Sequence, residues 1–112
     1  MAAQRDLEIP ARSTVEFVVD VLGGPASLVG YTGAMQIREL RTDADPIAEL
    51  SPSNFTVNAV TRQVTVRIPG ADTAAYDFRR GVYDVYITGP GGDSWRLVEG
   101  RVTVSQSVTR ED

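Results

Sequence analysis

Residues 81–110, GVYDVYITGPGGDSWRLVEGRVTVSQSVTR, decide the fold. Tyr83, Val85 and Ile87 alternate with Val82, Asp84 and Tyr86, the period of two that gives a strand one apolar face and one mixed face. Gly89, Pro90, Gly91, Gly92 and Asp93 then supply positive φ, a fixed φ and a tolerant turn residue in succession, so the chain must reverse there. The answering strand sets Trp95 and Leu97 on one face and Arg96 and Val98 on the other, is bent by Gly100, and carries a last apolar row at Val102 and Val104. Read this way, Trp95, Tyr83 and Leu97 are core anchors. Val82, Tyr86, Arg96 and Val98 form a half-apolar outer face that is a candidate interface.

Outward from the hairpin the same signals recur. Thr14–Leu22 reads as a strand with Val15, Phe17, Val19 and Val21 on one face, ended by Gly23, Gly24 and Pro25. Gly30–Arg41 reads as a second strand entered through Gly33. Ile47–Leu50 is too short to classify and fits either a short strand or one helical turn. Phe55–Asn58 and Gln63–Pro69 form a hairpin with Val64, Val66 and Ile68 inward. Residues 71–80, ADTAAYDFRR, are the one plausible helix, with Asp72 or Thr73 as cap and Gly81 as stop. Residues 1–13 read as an arm or a short edge strand, and 14–112 as one domain. Six or seven short strands at spacings near ten residues, with one short helical crossover near 71–80, predict an all-β antiparallel β-sandwich of immunoglobulin-like topology. A small closed barrel is the alternative, because alternation and turn spacing alone do not separate a closed sheet from two packed ones.

Composition narrows the function. The 112 residues suit a single domain, and a net charge of -4 argues against a nucleic-acid-binding surface; that all 11 basic residues are Arg reads mainly as codon bias. Cys and His are both absent, which removes disulfides, thiolate and Ser-His nucleophiles, the usual zinc sites and the commonest general base. No segment approaches the apolar length of a signal peptide core or of a membrane span, so the expectation is a soluble product made in the cytoplasm, with no nucleic acid or membrane as partner.

The remaining candidates each have a structural reading that suffices. Asp72, Asp77, Asp84, Asp93 and Glu99 cluster in the C-terminal half, and paired carboxylates hydrolyse glycosides, but capping, turn and strand-face positions account for Asp72, Asp93 and Asp84. Asp43 and Asp45 start like a calcium loop that nothing downstream completes. Gly89–Gly92 leads into a strand and lacks the Lys and helix of a phosphate loop. Trp95 with Tyr83 and Tyr86 could stack a sugar ring, although alternation with Leu97 places the Trp more simply in the core. No catalytic residue, metal or cofactor is expected.

Taken together, the residues resemble a family of small β-sandwich proteins encoded among the virion genes of tailed bacteriophages and prophages. The likeness rests on Tyr31, Thr32, Met35–Arg38, Thr73, Ala74, Tyr83, Asp84, on the close Arg96, Leu97, Glu99, Gly100, Val102, Val104, and on Val108–Arg110; it runs from about Thr14 onward. Gly33 and Ala34 depart from it, since the family more often has Ala-Arg there. The resemblance implies a non-enzymatic structural component of the virion, tail, collar or fibre-associated, that forms a homo-oligomer or is present in multiple copies and contacts other virion proteins; the half-apolar outer face, with the N-terminal arm before Thr14 reaching to a neighbour, is the expected contact. Capsid decoration or a head-tail neck position is the alternative within that class. A carbohydrate- or host-receptor-binding module is the alternative outside it.

Overall fold

The computed structural model describes residues 3–40 and 45–105. Two sheets face each other. The larger has the order β1-β9-β8-β4-β5, with β2 also on β9, and comprises β1 (Ala3–Gln4), β2 (Leu7–Pro10), β4 (Thr32–Arg38), β5 (Ala48–Leu50), β8 (Arg80–Thr88) and β9 (Ser94–Ser105). The smaller has the order β3-β7-β6, from β3 (Val15–Asp20), β7 (Gln63–Ile68) and β6 (Phe55–Asn58). A 3-10 turn, Pro52–Asn54, precedes β6. All described pairings are antiparallel except those of β1 and β2, which run parallel to β9. No helix among the described residues is long and apolar enough to cross a membrane.

The core forms where the two apolar rows meet. Met35, Ile37, Tyr83, Val85, Ile87, Val98, Val102 and Val104 from the larger sheet pack toward Phe17, Val19, Val64, Val66 and Ile68 from the smaller, all of them buried. Period-two alternation alone produces this arrangement, since it gives each strand one face to remove from water.

Four local expectations need correction. The register of β8 against β9 slips between Val85 and Tyr86: Val85 faces Val98, Tyr86 faces Arg96, and Leu97 is the extra residue of a bulge. Val98 therefore joins the parity of Val102 and Val104 and is 2% exposed, inside the core instead of on the outer face. Trp95 is 39% exposed at the start of the strand and does not anchor the core, and Leu97 is half-buried. The reason lies in parity: Leu97 and Val102 cannot share a face of one regular strand, and the bulge resolves the conflict in favour of the longer apolar row.

Of the two readings of the N-terminal residues, the structure shows the edge strand: β1 and β2 pair with β9 instead of forming a free arm. Leu7 and Ile9 are buried, and the edge is stapled by Arg5: its N–H donates to the Glu99 carbonyl (3.0 Å), and its own carbonyl accepts from the Tyr83 hydroxyl (2.5 Å). Its guanidinium lies 5.2 Å from the Phe17 ring centroid and donates to the Val18 carbonyl (3.0 Å), which ties the two sheets together without a disulfide. The helix α1 is shorter than expected, Gly70–Ala74; by Arg79, whose carbonyl accepts from Val104 N–H (2.8 Å), the chain is already held against β9 and leads into β8. Asp72 stands in its first turn without capping it. Thr73 is fully buried, with its hydroxyl donating to the Ser13 and Gly70 carbonyls at 2.8 and 3.1 Å.

Candidate functional site

The topology gathers three connections at one end of the sandwich: β3–β4 (residues 21–31), β6–β7 (59–62) and β8–β9 (89–93). Asp20 faces Gln63 and Thr32 faces Thr88, so each connection starts from the same level. They are braced to one another. Arg62, with φ 56, accepts at its carbonyl from Val21 N–H (2.9 Å), and its guanidinium donates to the carbonyls of Gly23, Pro25 and Ala26 at 2.7, 3.0 and 3.3 Å. A guanidinium fork suits this task because it holds several carbonyls in one plane.

A second brace joins the first and third connections. The carboxylate of Asp93 accepts from the Tyr31 hydroxyl in a short hydrogen bond and from the Trp95 indole N–H (3.0 Å). The Tyr31 bond, then the Trp95 bond, hold the Asp93 carboxyl below the usual carboxylate range, and the same bond raises the Tyr31 phenol. The indole lies beside Gly24, where an added Cβ would be 3.7 Å away.

On this braced end stand Leu22 (89% exposed), Val29 (71%), Val60 (92%) and Trp95 (39%). They are most of the exposed large hydrophobic residues among the described residues, the others being Val18, Leu40 and Ile47. Rigid backbone presenting exposed aliphatic and aromatic side chains is the arrangement of a contact surface, since ordering costs are met in advance of binding.

The outer face of the larger sheet, by contrast, is polar. Val82 and Tyr86 are half-buried there, and the Tyr86 hydroxyl accepts from Arg96 Nε (3.1 Å). Arg96 also bonds Glu99 Oε2 (3.2 Å), lies 3.9 Å from Asp84 Oδ2 and sits 5.6 Å from the Tyr86 ring centroid. Its pKa is raised further, first by the Tyr86 bond and then by Glu99. Gln36 donates to Glu49 (2.5 Å) and accepts from Arg38 (2.5 Å). Of the acidic cluster, the fold opposes Asp84 to Glu99 in register, while Asp72, Asp77 and Asp93 lie elsewhere. Asp43 lies outside the described residues; Asp45 is exposed, and among the described residues no group of three His, Cys, Asp or Glu is placed to hold a metal ion.

Solved structures supply the one comparison that matches. The chain superposes on a structure described as "crystal structure of chicken TCR for 2.0" with a TM-score of 0.56 and 15% identity, over 98% of this chain and 56% of that one. The fold is an immunoglobulin-like β-sandwich. No protein-family model matches the sequence, and no curated protein matches it. The immunoglobulin-like domain spans little more than half the length of the chain it resembles, and at this identity the likeness concerns the fold alone.

Sequence reasoning found Tyr86 and Arg96 together on one face and missed the loop end. Leu22 and Val29 stood in the sequence as apolar residues beside Gly and Pro, at odds with a plain solvent loop. That signal points to a site only once the topology brings Val60 and Trp95 to the same end.

Proposed function

We propose that this domain is a non-enzymatic binding module, a structural component of a tailed-bacteriophage virion that docks to another virion protein through the braced loop end. The observation that carries the proposal is the set of exposed residues Leu22 and Val29 on the β3–β4 connection, Val60 on the β6–β7 connection and Trp95 at the start of β9, at an end braced by Arg62 and Asp93. The resemblance of Tyr31–Arg38 and of the Arg96–Val104 close to virion proteins supports the particle context, and the absence of His and Cys supports a role without covalent or general-base chemistry. Burying three aliphatic side chains contributes roughly 5 kcal/mol or more. Association costs about as much, so one copy docks weakly and repeated copies around a particle supply the avidity. Mass spectrometry and immunogold labelling of purified particles test this: stoichiometric presence at one particle location is expected, and absence from particles overturns it.

The exposure of Trp95 favours one other reading, a carbohydrate- or host-receptor-binding module with the indole as stacking platform. Trp95 fluorescence titrated with host-surface glycans separates the two: the virion reading expects no saturable change.

A further inference from the structure

The outer face of the larger sheet carries its charges in bands. Register sets Glu49, Gln36, Asp84 and Glu99 side by side across four strands, and two residues along sets Arg38, Val82 and Arg101 side by side. The two bands are about 7 Å apart along the strands. With Arg96 on the other side of the acidic band, and Arg80 and Glu8 in the row beyond the basic one, four carboxylates and four guanidiniums cancel on this face, although the chain as a whole carries -4. A face without net charge on an acidic protein does not repel a copy of itself.

From this banding we infer that the outer face is a self-association surface, and that its occupant is a second copy of this chain. A two-fold axis lying in the plane of contact, across the strands and between the two bands, lays each acidic band over the partner's basic band. Each Glu99 then meets an Arg101, and each Asp84 falls between an Arg38 and an Arg101, in an isologous contact. The same axis brings the exposed Leu40, two residues past the end of β4 at Arg38, toward the open concavity of about 710 Å³ that Ala34 and Tyr86 help to line. Four strands and four rows of side chains span about 20 by 25 Å, or about 500 Å² on each copy. The total of about 1,000 Å² is at the lower edge of specific interfaces, so the dimer is weak and concentration-dependent. This surface is distinct from the loop end, and neither proposal depends on the other.

Sedimentation velocity on the full chain across a concentration series tests it. The wild type is expected to form a reversible dimer that weakens as NaCl rises from about 0.05 to about 0.5 M. Arg101→Glu is expected to lower the association constant by at least about tenfold, because both dyad-related contacts turn repulsive. Glu99→Arg alone is expected to do the same. An equimolar mixture of the two variants is expected to associate again, since both 99–101 contacts in the mixed pair are complementary. Circular dichroism checks that each variant is folded; if Glu99→Arg is not, the salt series and Arg101→Glu still decide. A wild type that stays monomeric, a dimer unaffected by salt and by Arg101→Glu, or two folded variants that fail to associate when mixed would each overturn the inference.

Discussion

Gly100→Ala tests the staple that joins the N-terminal strands to the hairpin. An added Cβ would lie 2.1 Å from the Arg5 carbonyl oxygen and 2.7 Å from its carbon, so the Arg5 backbone must retreat by about 1 Å. That movement breaks the bonds at Arg5: its N–H to Glu99 (3.0 Å) and its carbonyl to the Tyr83 hydroxyl (2.5 Å). It also strains the neighbouring bond from Arg101 N–H to Asp6 Oδ1 (3.1 Å). Each is worth about 1 kcal/mol net, and a buried phenol left without a partner adds about 1 more, for a loss of about 3–4 kcal/mol. For a domain of this size the melting temperature then falls by roughly 12–25 °C. Denaturant and thermal unfolding followed by circular dichroism measure it. Gly91→Ala is the control, because its Cβ meets only Asp93 Oδ1, at 3.8 Å, and should be neutral within about 0.5 kcal/mol. A Gly100→Ala loss below about 1 kcal/mol would show that Arg5 is not held against β9 and would refute the staple.

Trp95→Ala should cost about 1 kcal/mol by chemical denaturation, well short of the ~3–5 kcal/mol of a core Trp, because the indole is 39% exposed. Arg62→Ala removes the donor for three carbonyls and should cost about 2 kcal/mol, with faster amide exchange confined to residues 21–31. Burial pushes the Tyr83 phenol up to about 12 from 10.0. The folded state thus favours the neutral phenol, and that stabilisation is complete below pH ~10 and lost as pH rises toward ~12. Ultraviolet titration should show a last phenol, titrating near pH 12, that Tyr83→Phe removes, and an unchanged end of the titration in that variant would contradict its burial.

The strands were legible because burial imposes a period of two on residues such as Phe17, Val19, Val64, Val66, Tyr83 and Val85, and that period survives in the sequence. The bulge at Leu97 was not, because a one-residue slip shows only when β9 is laid against β8. The slip sets Val98 on the core face opposite Val85, while Trp95, opposite Ile87, is exposed because it stands at the end of the sheet. The docking of Leu7 and Ile9 was hidden by a parallel pairing across nearly the whole chain length, which no turn announces. The loop end was the least legible part. Its exposed residues are spread from Leu22 to Trp95, and what unites them is the bonding of Arg62 and Asp93 across connections that only the folded topology makes neighbours.

The most direct measurement of the proposed virion role is whether a Leu22→Asp, Val29→Asp double variant enters tailed-phage particles when it replaces the wild-type chain during particle production. Both side chains are exposed, at 89% and 71%, so the isolated domain should keep its circular dichroism spectrum and its melting temperature within about 3 °C. On docking, two carboxylates enter a contact built for aliphatic side chains, and each costs several kcal/mol to desolvate. The account predicts a folded variant missing from purified particles. Incorporation at the wild-type level would contradict it and remove the loop end as the docking surface.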